Sequence, residues 1–437
     1  MRASLTSWIV RHFVAGTAVL AVAAYVVIYA RILTEPPIRS DGYSYYVYLP
    51  SWFLYRDISL DVLARDWYGG SYPAFTAILR WPGTGQWLNA HPIGTAMLMA
   101  PFFAVGHLLT RWSNLPPDGF SFYYEHAAGL AGLAYFVGGV AVMRGLLTRH
   151  FTSGVTLATL VSMTWGTNLF HYGVFDTTFS HAYSFFLITL FLDLTDRWWT
   201  RPTARLACGL GASAALIVLT RHTNVLFLLL LPLHGITAWR DLGPHAAALW
   251  RRRGSLALIG GIALVGVLPQ LLIYRQATGS WLVSSYRAVG GAGFTFRSPH
   301  LVGVLFSTQK GVFFWSPLLL LAVAGIIVAH GWVQRLVVPA VIVVAIDTYL
   351  IASWSDWQFG ASFGHRGFTD SLGLLAMFLA AFFAWAAGWP RLARFVAAGV
   401  VLAVLISTAQ MLQYWIGILP MANTTWEQYR AVFLRFS

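Results

Sequence analysis

The chain has 437 residues, of which 58% are apolar or aromatic and 10% charged, and its mean hydropathy is +0.65. Charged residues make up about a quarter of an ordinary soluble domain, so this composition excludes a cytosolic enzyme, a disordered chain and a small disulfide scaffold, and marks an integral membrane protein. The formal net charge of +13 points to membrane topology rather than to nucleic acid, because the arginines alternate with long apolar stretches as they do in loops between spans.

About 20 mainly apolar residues cross the hydrocarbon. The first such window, 13–33, follows Arg11 and His12; it is too long for a removed signal peptide and lacks the cleavage flank, so it reads as a retained anchor. Further windows fall at 125–147, 155–171, 182–196, 206–220, 223–239, 256–274, 313–330, 336–353, 368–388 and 395–416, which predicts an all-α polytopic protein of about eleven spans. The lone cysteine, Cys208, lies in the fifth window and has no partner for an internal disulfide.

Residues 92–110 are apolar enough to span, yet counting them inverts every later loop. With that segment left on the outer surface, Arg144, Arg149, Arg197, Arg201, Arg205, Arg240, Arg251, Arg252, Arg253, Arg335, Arg391 and Arg394 all face the cytoplasm, and the short outer loops carry only Arg221 and Arg366. The positive-inside rule therefore predicts a cytoplasmic N-terminus, an external C-terminus and an interfacial helix pair over 92–110, interrupted by Pro101. The chain is then one transmembrane domain, 1–437, with three long outer segments: 34–124, which holds juxtamembrane helices, 275–312, and the tail 417–437. Chemistry belongs on the outer face, since only there is enough chain to build a site.

The first outer segment opens with EPPIRSDGYSYYVYLPSWF. Pro36 and Pro37 set an extended exit from the membrane and Gly42 permits a tight turn, so Asp41 is held near the interface. On the residues alone an N-cap and a catalytic carboxylate are equally good readings.

A carboxylate just past the first span, an external loop with an HPIG stretch at His91 to Gly94, and many short-looped spans together resemble the GT-C superfamily of membrane glycosyltransferases. The resemblance is to the branch of protein O-mannosyltransferases, lipid A aminoarabinose transferases and arabinofuranosyltransferases. FSHAYSFF (179–186), LFSTQKGVFFWSP (305–317) and WQFGASFGHRGF (357–368) resemble a bacterial subgroup of it. The resemblance implies an inverting transfer of a sugar from a polyprenyl-phosphate carrier to an acceptor hydroxyl, on an exported protein such as a pilin or on an envelope glycan or glycolipid. The expected setting is the outer face of the bacterial cytoplasmic membrane, with no nucleic acid and no other cofactor. It gives Asp41 the role of activating the acceptor. Relatives carry a second acid close by, where this chain has Gly42, and Asp57, Asp61 and Asp66 are its candidate substitutes.

Such a transfer needs a base for the incoming hydroxyl and fixed cations for the departing phosphate. The candidate cations are Arg221, Lys310 and Arg366. Arg221 reads either as a snorkelling interfacial arginine or as a phosphate ligand helped by Asn224, and Lys310 either as a plain flanking charge or as a ligand. Arg366 lies among Gly360, Gly364 and Gly367, which favours a functional role. Tyr45 joins Asp41 as a candidate binding residue. His91, His171, His181, His300 and His365 recur on the outer side without zinc-ligand spacing, so no catalytic metal is expected; His181 and His365 are best placed to touch donor or acceptor. Asp176 and Asp356 are candidates for acceptor hydroxyls. Asp347, mid-span, reads as an internally hydrogen-bonded helix contact, with a proton relay as the alternative. Two other classes compete: a transporter or flippase of lipid-linked sugars, for which matching halves are expected and none is visible, and a glycan ligase using lipid diphosphates, expected to work without an aspartate base.

Overall fold

An apolar run without water has only its own backbone to hydrogen-bond, and it closes into helix. The computed structural model describes residues 2–285 and 293–436; part of the predicted outer segment 275–312 thus lies outside the described residues. It begins with α1 (Arg2–Val27), extended by a π-turn over Ile28–Ile32. There follow α2 (Asp41–Tyr46), α3 (Tyr48–Phe53), α4 (Asp61–Tyr68), and two short strands, β1 (Ile78–Arg80) and β2 (Trp87–Asn89). The strands pair antiparallel, Ile78 with Asn89 and Arg80 with Trp87, around Pro82–Gly85. This hairpin is a small departure from the all-α expectation, and its turn chemistry accounts for it.

Next comes α5 (Gly94–Arg111), which runs unbroken through Pro101 instead of forming the predicted helix pair. A proline in a helix interior costs about 3 kcal/mol; here both halves are pinned by packing. A Cβ on Gly106 would meet the Tyr123 carbonyl oxygen at 2.9 Å, and one on Gly94 the Leu219 carbonyl oxygen at 2.6 Å, so the helix backbone lies directly on its neighbours at both ends.

The bundle continues with α6 (Phe122–His150), α7 (Ser153–Trp165), α8 (Leu169–Val174), α9 (Ser180–Thr200), α10 (Ala204–Thr220), α11 (Leu230–Leu233), α12 (Leu242–Arg251) and α13 (Arg253–Thr278). Beyond the undescribed residues come α14 (Leu301–Phe306), α15 (Val312–Trp315), α16 (Leu318–Ile327), α17 (Gln334–Ser353), α18 (Leu372–Ala387), α19 (Pro390–Trp415) and α20 (Trp426–Val432). Among the described residues, six helices are long and apolar enough to cross a membrane: Leu5–Ile32, Phe122–His150, Arg253–Thr278, Gln334–Ser353, Arg366–Ala387 and Pro390–Trp415. The other predicted windows fall on shorter or charged helices. Pro317 splits 313–330 between α15 and α16, because the residue before a proline avoids the helical region.

Two polar clusters mark the ends of the bundle. At one end Arg149 contacts Asp193 at 2.5 Å and Asp196 at 3.4 Å, and the Trp332 indole donates to Asp196 at 2.5 Å while its ring stacks on His150. α9 runs from there to the other end, where its first residues, Ser180 and His181, border a cavity.

Candidate functional site

The cavity, about 500 Å³, is walled by α2, the segment after β2, the first turn of α9, the residues after α10, the face of α17 and the loop 354–366. Its lining includes Asp41, Tyr45, His91, His181, Arg221, Asp347, Asp356 and Arg366. Seven of these eight were singled out in the sequence as candidate site residues. Four of the candidates lie elsewhere: Lys310, Asn224, His365 and Asp176.

Asp41 starts α2 directly after Ser40, whose positive φ of 47° is costly for a residue with a side chain and turns the chain sharply at this point. Arg366 Nη1 donates to Asp41 Oδ2 at 2.8 Å. The carboxylate remains 27% exposed toward the cavity. Burial pushes its pKa up, but the Arg366 guanidinium, with His91 and His181 behind it, outweighs this and holds Asp41 below the usual carboxylate range. Burial lowers the His91 pKa to about 4, against the pull of Asp41, so His91 is a neutral ring beside an ionised carboxylate. The Tyr45 ring meets it edge-on at 4.5 Å, and burial, reinforced by Asp41, pushes the Tyr45 phenol up to about 12, so it keeps its proton.

Arg221 is the second cation. Its Nη1 donates to Asp370 Oδ2 at 2.8 Å, and Asn224 Nδ2 donates to the same oxygen at 3.0 Å. His181 Nδ1 lies 3.5 Å from Asp370 Oδ1. Asp370, 1% exposed, is therefore the anchor that orients Arg221 and His181 from behind the cavity wall, and Asn224 serves that anchor rather than the cavity. Phe359, held at φ 54° before Gly360, brings its ring within 6 Å of both guanidiniums: 5.9 Å from Arg221 and 5.8 Å from Arg366. Two arginines thus converge on one cavity, a geometry that takes a multivalent oxyanion such as phosphate.

Lys310 stands apart, 2% exposed; its Nζ donates to the carbonyls of Ser362 and, at 2.9 Å, Met421. Burial, with the Arg366 charge, lowers its pKa to about 7. His365 is also buried outside the lining, between the rings of Phe359 and Phe368, and burial lowers its pKa to about 3. Asp176 is held by Arg39 at 2.9 Å and by His171 Nε2 at 3.0 Å. The Trp415 indole donates to His171 Nδ1 at 3.0 Å, which fixes the proton on Nε2 and points it at Asp176. Burial raises the Asp176 pKa, but the His171 hydrogen bond and the Arg39 charge reverse this and hold it well below the usual range. This cluster ties the segment before α2, α8 with the turn after it, and the end of α19 together behind the site.

Asp356 stands at the cavity edge, where partial burial raises its pKa against the opposing Arg366 charge. Asp347 differs from expectation: it makes no hydrogen bond or ion pair among the described residues and faces the cavity. Asp57, Asp61 and Asp66 belong to the α4 region instead, Asp57 accepting from the Val62 and Ser59 amides and Asp66 pairing with Arg65. None of the three lines the cavity.

Sequence reasoning missed Asp370 and Arg39. A carboxylate four residues beyond Arg366, at the mouth of a span, is itself a signal, because an ionisable group there needs a partner. Among the described residues no three His, Cys, Asp or Glu side chains gather as a metal site. No protein-family model matches this chain, and no curated protein matches it significantly.

Proposed function

We propose that the chain is an inverting, GT-C-like glycosyltransferase that moves a sugar from a polyprenyl-phosphate lipid to an acceptor hydroxyl. It works at the outer face of the bacterial cytoplasmic membrane, in a fold of eleven spans with the N-terminus cytoplasmic. The observation that carries the reading is the Asp41–Arg366 pair at 2.8 Å, in one cavity with Arg221. An apolar groove of about 560 Å³ between α10 and α13, lined by small residues such as Ala212, Ala215, Gly261 and Gly266, adds support. It reaches Leu219, two residues from Arg221, which suits a lipid whose phosphate lies at the cavity.

In this reading Asp41 accepts the proton of the acceptor hydroxyl as its oxygen bonds the anomeric carbon. The bond from that carbon to the phosphate oxygen breaks on the opposite face, its electron pair stays on the phosphate, and Arg366 and Arg221 stabilise the charge. A carboxylate paired with a guanidinium is a weak base. A phosphate that draws Arg366 toward itself loosens that pair and raises the basicity of Asp41 as the donor arrives.

The test is deletion of the gene in its host, followed by mass analysis of surface glycans and exported proteins. Loss of one hexose or pentose mass is expected, restored by the wild-type gene and not by Asp41→Asn present in the membrane at equal level. Restoration by Asp41→Asn removes Asp41 from the reaction.

A further inference from the structure

Among the described residues, Asp347 is a cavity carboxylate without a counterpart. It is 6% exposed, projects from the same face of α17 as Leu350 and Ile351, and makes no hydrogen bond or ion pair among the described residues. Its charged neighbours are Asp370 and Arg221, and Arg221 already donates to Asp370 at 2.8 Å. Asp41 has Arg366, and Asp370 has Arg221 and Asn224. A carboxyl that meets no protein partner among the described residues and opens on a cavity is placed to take a ligand that donates hydrogen bonds. Asp347 lies six residues before the end of α17, about 9 Å along the helix axis from Ser353, deeper than the edge residues Trp354 and Asp356. The cavity is thus two-sided, with guanidiniums from Arg366 and Arg221 on one part and the Asp347 carboxyl on another.

We propose that Asp347 recognises the glycosyl unit of the lipid donor, accepting a hydrogen bond from a sugar hydroxyl or ammonium group. This rests on the glycosyltransferase reading given above. Asp347 then determines which sugars are held, and Asp41 and the arginines act on whatever it admits.

The test uses the full chain in lipid nanodiscs, titrated with neryl phosphate and with its mannosyl, arabinofuranosyl and aminoarabinosyl phosphodiesters, and followed by tryptophan fluorescence. The wild-type chain should prefer one glycosylated form over neryl phosphate. Asp347→Asn should weaken that form by about tenfold or more, the scale of one hydrogen bond to a charged acceptor, with neryl phosphate changed by less than about twofold. Retained neryl phosphate binding also shows that the variant is folded. A preferred aminoarabinosyl form identifies an ammonium donor; a preferred neutral sugar identifies a hydroxyl. If Asp347→Asn leaves the glycosylated form unchanged, weakens both ligands equally, or if the wild type prefers no sugar, Asp347 has no such role and the glycosyltransferase reading stands. If the wild type binds neither neryl phosphate nor any phosphodiester, the parent reading fails and this one with it.

Discussion

Lys310 shows what a buried ammonium does when no carboxylate answers it. Its only hydrogen-bond acceptors among the described residues are two backbone carbonyls, and its pKa falls from 10.5 to about 7. Between those two values the unfolded chain binds a proton that the folded chain does not, so this group makes stability rise with pH from about 7 to about 10.5 and leaves it level below 7. Lys310→Met should remove up to roughly 1.4 kcal/mol per pH unit of that slope, read as the pH dependence of the thermal midpoint in detergent. An unchanged slope means that the lysine is not its source. The same residue was a candidate phosphate ligand because its sequence position, before an apolar run, is where a membrane-edge cation sits. Chain position along one dimension carries no information about which carbonyls of a distant loop close around it, and Ser362 and Met421 are 52 and 111 residues away.

At the level of elements, the close seating of α2 is what aims Asp41. A Cβ at Gly42 would lie 2.8 Å from the Thr178 Cβ and closer still to its hydroxyl, so no side chain fits there, acidic or otherwise. The second acid expected at this place has no room, and the other carboxylates at the cavity come from α17 and the loop after it. Gly42→Ala should cost about 1–3 kcal/mol by overpacking, seen as a lowered unfolding midpoint, with the proposed transfer activity falling further than stability because Asp41 moves with the helix. Wild-type stability in Gly42→Ala runs against that close contact. The helices themselves were legible, since unbroken apolar windows such as 256–274 and 395–416 become α13 and α19. The hairpin of β1 and β2 was not noticed although Pro82, Gly83 and Gly85 announce it. The course of α5 through Pro101 was beyond local reasoning, because the contacts that hold it, at Tyr123 and Leu219, come from α6 and α10.

For the molecule as a whole, the two polar clusters lie at opposite ends of α9, and the proposed orientation puts the cavity outside and the Arg149–Asp193–Asp196 network inside. Replacing the exposed Cys208 by alanine gives a background without thiols. In it, Asn114→Cys should react with a membrane-impermeant maleimide on intact cells, and Arg201→Cys only after permeabilisation; both positions are exposed. The reverse pattern places the cavity in the cytoplasm and ends the proposal of a lipid-carried sugar donor.

The pair that joins Asp41 to Arg366 links positions 325 residues apart. During synthesis the first of these leaves the ribosome long before the second, so for most of translation the aspartate waits without its guanidinium. The cavity is consequently among the last parts of the protein to be completed, and a chain stalled anywhere before Arg366 has its early helices yet lacks the Asp41–Arg366 pair.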